Sequence, residues 1–588
     1  MKRRHLIAAG LTLAGAAAVR VTPARAAPLS RTRPGMPGWQ ADADWAALNE
    51  ATSGRLSPIS PPPLDGPDAQ KLLSNPFYIA DQPGLTQSSG WLDAWRSSPS
   101  AYVVAAETTA DVVAAVRFAR AHNLRLVVKG RGHSYLGASN APDSLLLWTR
   151  RMDGVTVHDA FTPAGSKAAP VPAVSAAAGA LWLHAYQAVT VGAGRYVQGG
   201  GCTTVGVAGL VQGGGFGSFS KGFGTAGASL LEAEVVTADG AVRIVNRERE
   251  PDLFWALKGG GGGTFGVLTR LTLATHDLPQ NFGAANWKVR ASSDAAYRRL
   301  LAAFLDHYAK ALFNPHWGEQ VEVHPDNLLD VHMVFQGLSQ DEARAAWKDL
   351  ADFVAAHPED FQVVQPLTVS ALPARLFWNG PLLNQFAPGV VRLDPRPGAV
   401  PGDFWWSGNS DEVGVFWHAY ASAWLPASLL RPDQQARLVD AWFAASRHWG
   451  VSLHLNKGLA GAPPAAIEAS RDTATNPDVL GAFALAITGT AGPPIYPGMP
   501  APDPTKGPRD GAARVQAAIT ALRLAAPGAG AYVNECDYFQ SDWQRAFWGP
   551  NYPRLLRIKR RYDPDGLFTV HHGVGSEAWS SDGFTRTA

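Results

Sequence analysis

One stretch of the chain, residues 199–217, limits most strongly what can fold around it. It reads GGGCTTVGVAGLVQGGGFG, and nine of its nineteen residues are glycine. Because glycine has no Cβ, such a backbone can approach a ligand very closely, and its successive free N–H groups form a concavity that suits a phosphate or the edge of a cofactor ring. A second glycine-rich turn, residues 129–135, reads KGRGHSY. We interpret the two turns as the walls of one cofactor site.

The length and composition are those of a globular protein. The chain has 588 residues, which is enough for two or three domains. Hydrophobic residues make up 46% of it and charged residues 17%, as in ordinary soluble domains. The twenty tryptophans indicate broad aromatic surfaces in the core or along a pocket.

The N-terminus resembles an export signal. A basic cluster at residues 2–4 precedes an apolar run at residues 6–19, and residues 24–26 (ARA) fit the small-x-small cleavage pattern. We predict a signal peptide over residues 1–26 and a periplasmic or extracellular protein. The paired arginines resemble a twin-arginine signal, with an ordinary secretory signal as the alternative. The apolar run is too short for a membrane anchor.

The charge argues against a nucleic-acid partner. The whole chain has a formal charge of +2, and the predicted signal contains five basic and no acidic residues, so the mature chain carries −3. A mildly acidic protein has no electrostatic attraction for a phosphate backbone. No metal site is predicted, and the oligomeric state stays open.

The hydrophobic pattern predicts an α+β protein. Residues 27–74 are rich in proline and read as an arm with little regular structure. A strand at 102–105, a helix at 109–122 and a strand at 124–128 then form a βαβ unit that ends on the first glycine turn. It is not the Rossmann order, because no G-x-G-x-x-G opens the helix.

The texture of the sequence changes near residue 280, where glycine clusters give way to helices and strands of an antiparallel sheet flanked by helices. A hairpin at residues 231–236 and 242–245 precedes this change. The predicted organisation is a cofactor domain at 75–280, a substrate domain at 281–529 and a C-terminal segment at 530–588 that completes the cofactor domain.

Four motifs carry a resemblance to a known family: VVKGRGHSYLG (127–137), the second glycine stretch, GGGGGTFGVLTRL (259–271) and FWGPNYPRLLRIKRRYDPDGLF (547–568). Their order resembles the vanillyl-alcohol oxidase / p-cresol methylhydroxylase (PCMH-type) flavoproteins, and among them the berberine-bridge-enzyme-like branch. Segments 75–95 and 571–579 are similar to proteins named isoamyl alcohol oxidases. The resemblance implies a two-part PCMH-type FAD-binding domain beside the substrate domain.

The resemblance also implies FAD that is attached twice. His133 occupies the position that bonds the flavin 8α-methyl group, and Cys202 the position that bonds ring carbon C6. Two such bonds withdraw electron density from the ring and hold it in place. The alternatives are a histidine that only caps the turn, and a cysteine that is inert or forms a disulfide with Cys536 outside the cytoplasm.

Further cofactor contacts follow from the same resemblance. The N–H groups that would face the pyrophosphate belong to Gly130, Arg131, Gly132, Ser134 and Tyr135. The residues that would line the flavin ring and ribityl chain are Gly201, Thr203, Thr204, Gly206, Gly209, Gly213 and Gly214. Gly266 and Val267 would approach from the third glycine run, where tight turns that serve only the fold are the alternative. Val205 resembles the family's oxygen gate, and its small side chain favours an oxidase over a dehydrogenase.

The catalytic residues are predicted from the C-terminal segment. The family transfers a hydride to flavin N5 while a base removes a hydroxyl proton. Residues 532–538 alternate like a strand, which places Tyr532, Asn534 and Cys536 on one face. Asn534 best matches the family's flavin-facing residue, and Tyr538 is the candidate base.

Other polar residues have two open interpretations. On the predicted strands of the substrate domain they either face the flavin or cover a solvated sheet surface; they are Glu322, His324, His332, His454, Asn456 and Lys457. His571 and His572 follow where the family's tail returns to the cofactor.

The predicted function is a secreted FAD-dependent oxidase. It would convert an alcohol or carbohydrate to a carbonyl compound and reduce O2 to hydrogen peroxide. One alternative is a dehydrogenase that passes electrons to a quinone or a protein. Another is a non-catalytic binding protein whose tryptophans stack on sugars. The sequence does not identify the substrate.

Overall fold

The computed structural model describes residues 30–64, 66, 68–499 and 507–587. The predicted signal peptide, residues 1–26, lies outside the described residues. Within the described ranges, no helix is both long and apolar enough to cross a membrane. Three main sheets and the helices around them make up the molecule, which confirms the predicted α+β class.

The first sheet contains the predicted βαβ unit. Its strands, in spatial order, are Leu56–Pro58, Tyr102–Ala105, Leu145–Trp148 and Leu126–Lys129. The last three are parallel to one another. Helix Thr109–Ala121 begins with a capping box, in which Asp111 N donates to Thr108 Oγ1 and Thr108 N donates to the Asp111 carboxylate. The strand Leu126–Lys129 follows this helix and ends at the first glycine turn.

The second sheet is antiparallel and has five strands. In spatial order they are Val242–Val245, Leu230–Val236, Val267–Ala274, Val171–Ala177 and Val155–Phe161. The predicted hairpin is confirmed, and Gly240 at its turn has a φ of +73°, a conformation that favours glycine.

The third sheet has nine strands, and seven of them come from the predicted substrate domain. In spatial order they are Phe361–Pro373, Asn281–Ala291, Leu328–Gln336, Trp317–Val323, Val451–His454, Ala482–Gly492, Phe416–Pro426, Gly90–Trp91 and Trp95–Arg96. All neighbours are antiparallel except Gly90–Trp91 and Phe416–Pro426. Two short strands from residues 90–96 thus join this sheet, which we predicted from residues 281–529 alone.

Helices cover one face of this large sheet. Phe304, Trp442 and Ile519, each from a different helix, are buried there in one apolar core. The helices of eight or more residues are Asp42–Ala51, Thr109–Ala121, Asp294–His307, Lys348–Ala355, Gln435–Ser446, Pro464–Arg471, Pro508–Arg523 and Tyr552–Tyr562. The shorter ones are Ala69–Leu73, Pro76–Ala80, Trp182–Tyr186, Val207–Gln212, Ser220–Phe223, Pro251–Ala256, Gln340–Ala345, Gly380–Phe386, Asp478–Gly481 and Trp543–Trp548.

The N-terminal arm is more regular than predicted. Residues 27–74 include helix Asp42–Ala51 and a strand of the first sheet, so the expectation of little regular structure was wrong. Trp45 and Leu48 lie one helical turn apart and are both buried, and Trp45 stacks on Tyr102 with ring centroids 4.1 Å apart. This apolar pair stabilises the helix, which the proline-rich composition of the segment had led us not to predict.

The two ends of the described chain meet. Arg31 N donates to Phe584 O at 2.9 Å, and Ser30 bridges Thr585 in antiparallel fashion. The Arg31 guanidinium also lies over the Trp579 ring, 4.1 Å from its centroid. The C-terminal tail therefore closes over the beginning of the arm.

Candidate active site

The first two glycine-rich loops meet at His133. Its Nε2 lies 3.0 Å from Thr204 O and 3.3 Å from Thr204 Oγ1. Because a carbonyl oxygen only accepts hydrogen bonds, Nε2 carries the ring proton. Thr204 follows Cys202 by two residues, so this bond brings the two predicted anchors to one place.

The His133 side chain is chemically ready to act as a nucleophile. Burial lowers the pKa of its imidazole to about 4, so the ring is neutral at neutral pH. Nδ1 has no hydrogen-bond partner among the described residues. A neutral imidazole with a free lone pair on Nδ1 can form a covalent bond without first losing a proton.

Cys202 is a free, half-buried thiol. Cys536 is also free, and its buried Sγ donates to Val533 O at 3.3 Å, so the disulfide alternative is wrong. Burial, with Glu412 and Glu319 nearby, raises the pKa of the Cys202 thiol. The thiol is therefore protonated at neutral pH, and it is a poor nucleophile until a base removes its proton.

Side chains from other parts of the chain hold the second loop. Trp406 Nε1 donates to Gly201 O at 3.1 Å, and Thr203 Oγ1 donates to Phe404 O at 2.7 Å. Gly217 is required at the end of the loop, because a Cβ there would lie 1.8 Å from Gly199 O. The loop thus packs so closely on itself that Cys202 has a fixed position.

The predicted cofactor contacts on the first loop surround His133. Gly132 has a φ of +83°, and its carbonyl accepts from Gln87 N at 2.9 Å. Arg131 is buried, and its Nε donates to Gly179 O at 2.6 Å. The remaining predicted residues of this loop are the partly accessible Gly130, Ser134 and Tyr135. As cofactor contacts, all five stay predictions.

The predicted contacts on the later loops divide into two groups. Val205 is half-buried and Gly206 lies against Arg131, while a Cβ at Gly209 would meet no atom within 4 Å. Space at three other glycines is taken by protein: Gly213 lies against Asn534, Gly214 against Thr475, and Gly266 against Val235 and Val236. Val267 is buried in the second sheet, where it pairs with Val236. Gly209 borders open space and Val205 keeps part of its surface accessible, whereas Gly206 and the second group are explained by packing.

The predicted strand at residues 532–538 is wrong. The chain turns instead, with Glu535 N donating to Tyr532 O at 2.9 Å, and no neighbouring strand pairs with it. Tyr532 and Cys536 are both buried, but they belong to different apolar clusters. An alternating pattern without a partner strand does not form a ladder, so the predicted common face does not exist.

The two predicted catalytic residues separate in space. Asn534 stays beside the second loop, because a Cβ on Gly213 would lie 2.1 Å from its Nδ2; that amide donates to the Tyr532 hydroxyl at 3.0 Å. The Tyr538 ring stacks on His571 with centroids 3.8 Å apart, and His571 stacks in turn on His572. Both catalytic roles stay predictions, and the structure does not bring Tyr538 to Cys202.

A group of carboxylates beside Cys202 was not predicted. Glu319 accepts from Ser218 Oγ, and Glu535 forms an ion pair with Lys457. The charges of Glu412, Glu319 and Glu535 all raise the pKa of the Cys202 thiol, and we call the space that these side chains border together with His133 and Cys202 the recess. Glu319 has a φ of +63° within its strand, a strained conformation for a residue other than glycine. Burial raises the pKa of Glu319. No local pattern in the sequence marks these three residues.

The polar residues of the large sheet divide as the alternatives allowed. Asn456 is buried against the second loop, where its Nδ2 donates to Gly217 O at 3.0 Å, and Lys457 pairs with Glu535 beside the recess. His454 is half-buried, and desolvation together with the charge of Lys457 lowers its pKa. The others form a separate network on the sheet surface: His332 bonds Asn286 and Asp330, and Glu322 lies near His324.

The recess fits FAD. His133, Cys202 and Val205 keep part of their surface accessible although protein surrounds them, so they border an internal space. Residues 99–246 match the family described as FAD binding domain, and residues 531–575 match the family described as Berberine and berberine like. The chain therefore contains an FAD-binding domain and a berberine-like domain, and it is similar to VAO-type flavoprotein oxidases and FAD-linked oxidoreductases. It is an FAD-linked oxidoreductase, as predicted.

Alignments with similar proteins cover nearly the whole chain. It is 29% identical to the VAO-type flavoprotein oxidase VAO615 of Thermothelomyces thermophilus, over 98% of both chains. It is also 29% identical to the FAD-linked oxidoreductase notD' of Aspergillus versicolor, over 95% of this chain and 90% of that one.

Solved structures agree with the fold. The VAO-type flavoprotein MtVAO615 from Myceliophthora thermophila C1 superposes with a TM-score of 0.76 at 26% identity, covering 95% of this chain and 100% of that one. The glucooligosaccharide oxidase of Acremonium strictum, described with a 6-S-cysteinyl, 8α-N1-histidyl FAD, gives a TM-score of 0.65 at 18% identity, over 90% and 99% of the two chains. The second likeness shows the fold alone.

Proposed function

We propose that this flavoprotein is an exported oxidase. It transfers a hydride from an alcohol or a carbohydrate to FAD bonded to both His133 and Cys202, with O2 as the electron acceptor and hydrogen peroxide as the second product. The observation that supports the proposal is the hydrogen bond between His133 and Thr204, because Thr204 follows Cys202 by two residues. VAO615 is named an oxidase, and the Acremonium enzyme carries the same pair of flavin bonds.

The residues of this chain have separate tasks in such a reaction. When bound, FAD supplies the two-electron acceptor that O2 reoxidises. His133, neutral and with Nδ1 free, would hold FAD through the 8α-methyl group, and Cys202 would hold ring carbon C6. Val205 adds little bulk beside them, which leaves O2 a path. Carbohydrate is included among the substrates because the xylooligosaccharide oxidase of Myceliophthora thermophila, solved with xylobiose, shares the fold at a TM-score of 0.63.

The test is a substrate screen of the purified yellow protein. Primary alcohols, xylobiose and cellobiose are offered with O2 as sole acceptor, and peroxide is measured by a coupled assay. We expect one mole of peroxide per mole of carbonyl product. Reduction of a quinone without peroxide would instead identify a dehydrogenase, and a colourless protein would identify the binding-protein alternative.

Export is tested separately. Replacing Arg3 and Arg4 with lysine should leave a folded, flavin-loaded precursor inside the cell, because the twin-arginine route carries folded cargo. Cell fractions are compared for flavin fluorescence bound to the chain. Normal export of the double variant would favour the ordinary secretory route.

A further inference from the structure

One segment, residues 406–414, joins the two loops that carry the predicted anchors. At its start, Trp406 Nε1 donates to Gly201 O at 3.1 Å. Gly201 is the residue immediately before Cys202. The beginning of the segment is therefore fixed beside the thiol.

The end of the same segment reaches the other loop. Gly414 N donates to Gln87 O at 2.8 Å, and Gln87 N donates to Gly132 O at 2.9 Å. Gly132 is the residue immediately before His133. The segment thus spans from one anchor to the other, and Glu412 lies near its second end.

Glu412 differs from the other carboxylates of the recess. Glu319 already accepts a hydrogen bond from Ser218, and Glu535 is paired with Lys457. Glu412 forms no hydrogen bond or ion pair with any residue that the structure describes, and it is accessible to solvent. Its oxygens are therefore free to receive a proton from a molecule in the recess.

The surroundings of Glu412 match those of a proton acceptor. Although it is accessible, the protein around it desolvates it, and this, with the charge of Glu535, raises the pKa of Glu412 to about 7 against the opposing effect of Lys457. A general base works best when its pKa lies near the working pH. The charged and titratable groups that act on it or that it acts on are Asp411, Glu535, Lys457, Cys202, Tyr135 and Tyr420.

We propose that Glu412 is the catalytic residue that takes the hydroxyl proton of the substrate, which rests on the proposed function above. In that step the O–H bond breaks and its proton goes to the Glu412 carboxylate, while the hydride of the adjacent C–H goes to FAD and a C=O bond forms. Glu412 returns the proton when O2 takes up two electrons and two protons as hydrogen peroxide. This assignment gives the step to Glu412 in place of Tyr538, whose catalytic role stays a prediction.

The first test needs no substrate. The absorbance of bound flavin is titrated between about pH 5 and about pH 9 in the wild type, E412Q and E322Q, because a carboxylate that ionises beside the ring perturbs its spectrum. We expect a transition near the pKa of Glu412 in the wild type and in E322Q, and none in E412Q. Glu322 is the matched control, since its pKa is also raised but it does not act on Cys202. A transition that survives in E412Q, or is absent from the wild type, overturns the proposal.

The second test measures anaerobic flavin reduction by the best alcohol of the screen. We expect E412Q to be slower by about 100-fold or more and to lose the rise in rate with pH that the wild type shows, because only the deprotonated carboxylate accepts a proton. E412D should retain part of the rate, and E322Q all of it. Dithionite-reduced E412Q should still reoxidise with O2 at the wild-type rate. If E412Q reduces at the wild-type rate, Glu412 is not the base. If no alcohol reduces the wild type, the proposed function has failed, and the spectral titration alone decides whether Glu412 ionises beside the flavin.

Discussion

His133 and Cys202 stand on two loops of one recess, yet burial prepares them in opposite ways. It lowers the pKa of the imidazole to about 4 and so leaves a neutral nucleophile. It raises the pKa of the thiol and so suppresses the thiolate, which is the form that reacts. The same loss of solvent therefore favours nucleophilic attack by the proposed histidine anchor and disfavours it by the proposed cysteine anchor.

Their neighbours reinforce this difference. The carbonyl of Thr204 holds His133 in the tautomer with Nδ1 free, whereas carboxylates beside Cys202 oppose its ionisation. The two proposed covalent bonds to FAD therefore need not form by the same route. We expect the histidyl bond to form readily and the cysteinyl bond to depend on removal of a proton.

The largest effect is expected from removing both anchors. In the double variant H133A/C202A, acid-precipitated protein should release all of its flavin and become colourless, because neither bond remains. Each single variant should stay yellow through the other residue, and thiol reductant should not change this, since a thioether resists it. The measurement is flavin absorbance in pellet and supernatant, with the mass of the Cys202 peptide as a check. Flavin that stays bound to the double variant would show a third attachment.

A pH series separates the two bonds. Apoprotein of H133A, which keeps only Cys202, should attach added FAD about tenfold faster for each pH unit below the thiol pKa, because the thiolate fraction grows in that proportion. Apoprotein of C202A should show no such slope above about pH 5, since its imidazole, with a pKa of about 4, is already neutral. Acid-stable flavin is measured against time. If the attachment rates of the two variants depended equally on pH, the two bonds would not differ in their need for deprotonation.

A smaller effect is expected at Val205, which lies between the anchors and the apolar core. V205I should slow reoxidation of the reduced flavin by O2 severalfold, because added bulk narrows the path of the gas, while covalent attachment is unchanged. Stopped-flow absorbance after anaerobic reduction gives the rate, and V205A is the control that should match or exceed the wild type. An unchanged rate in V205I would leave the oxidase prediction without its sequence support.

The smallest effect is expected far from the recess. T108A removes the capping hydroxyl of helix Thr109–Ala121 and should lower the free energy of unfolding by about 1 kcal/mol, as measured by urea denaturation. The fraction of covalent flavin should equal that of the wild type. If this variant also lost covalent flavin, the effects of the anchor variants would need to be corrected for stability.

Local signals account for what the sequence predicted well. The pair Thr108 and Asp111 marked a helix start, the alternation around Gly240 marked a hairpin, and both are confirmed. The glycine stretches identified the loops because close packing, as at Gly217, admits no side chain. These features depend on neighbours within a few residues.

The features that the sequence did not predict depend on residues far apart in the chain. The alternation at residues 532–538 resembled a strand, but a strand also needs a neighbour, and no strand of the described chain pairs with this segment. Glu412 reaches the recess only because Trp406 bonds Gly201, 205 residues earlier in the chain. Glu319 adopts a φ of +63° that no residue type in its segment announces. Such contacts leave no pattern in a single sequence.

The contact between Arg31 and Phe584 has a consequence for how the chain is made. The hydrogen bond between Arg31 and Phe584 forms only after synthesis has passed residue 584. The N-terminal arm therefore reaches its final packing after the C-terminal tail has been made. Because residues 31 and 584 are neighbours, a short linker between these two points should permit circular permutation. New termini opened at an exposed turn such as Gly398 would then leave in place the tail that covers the beginning of the arm.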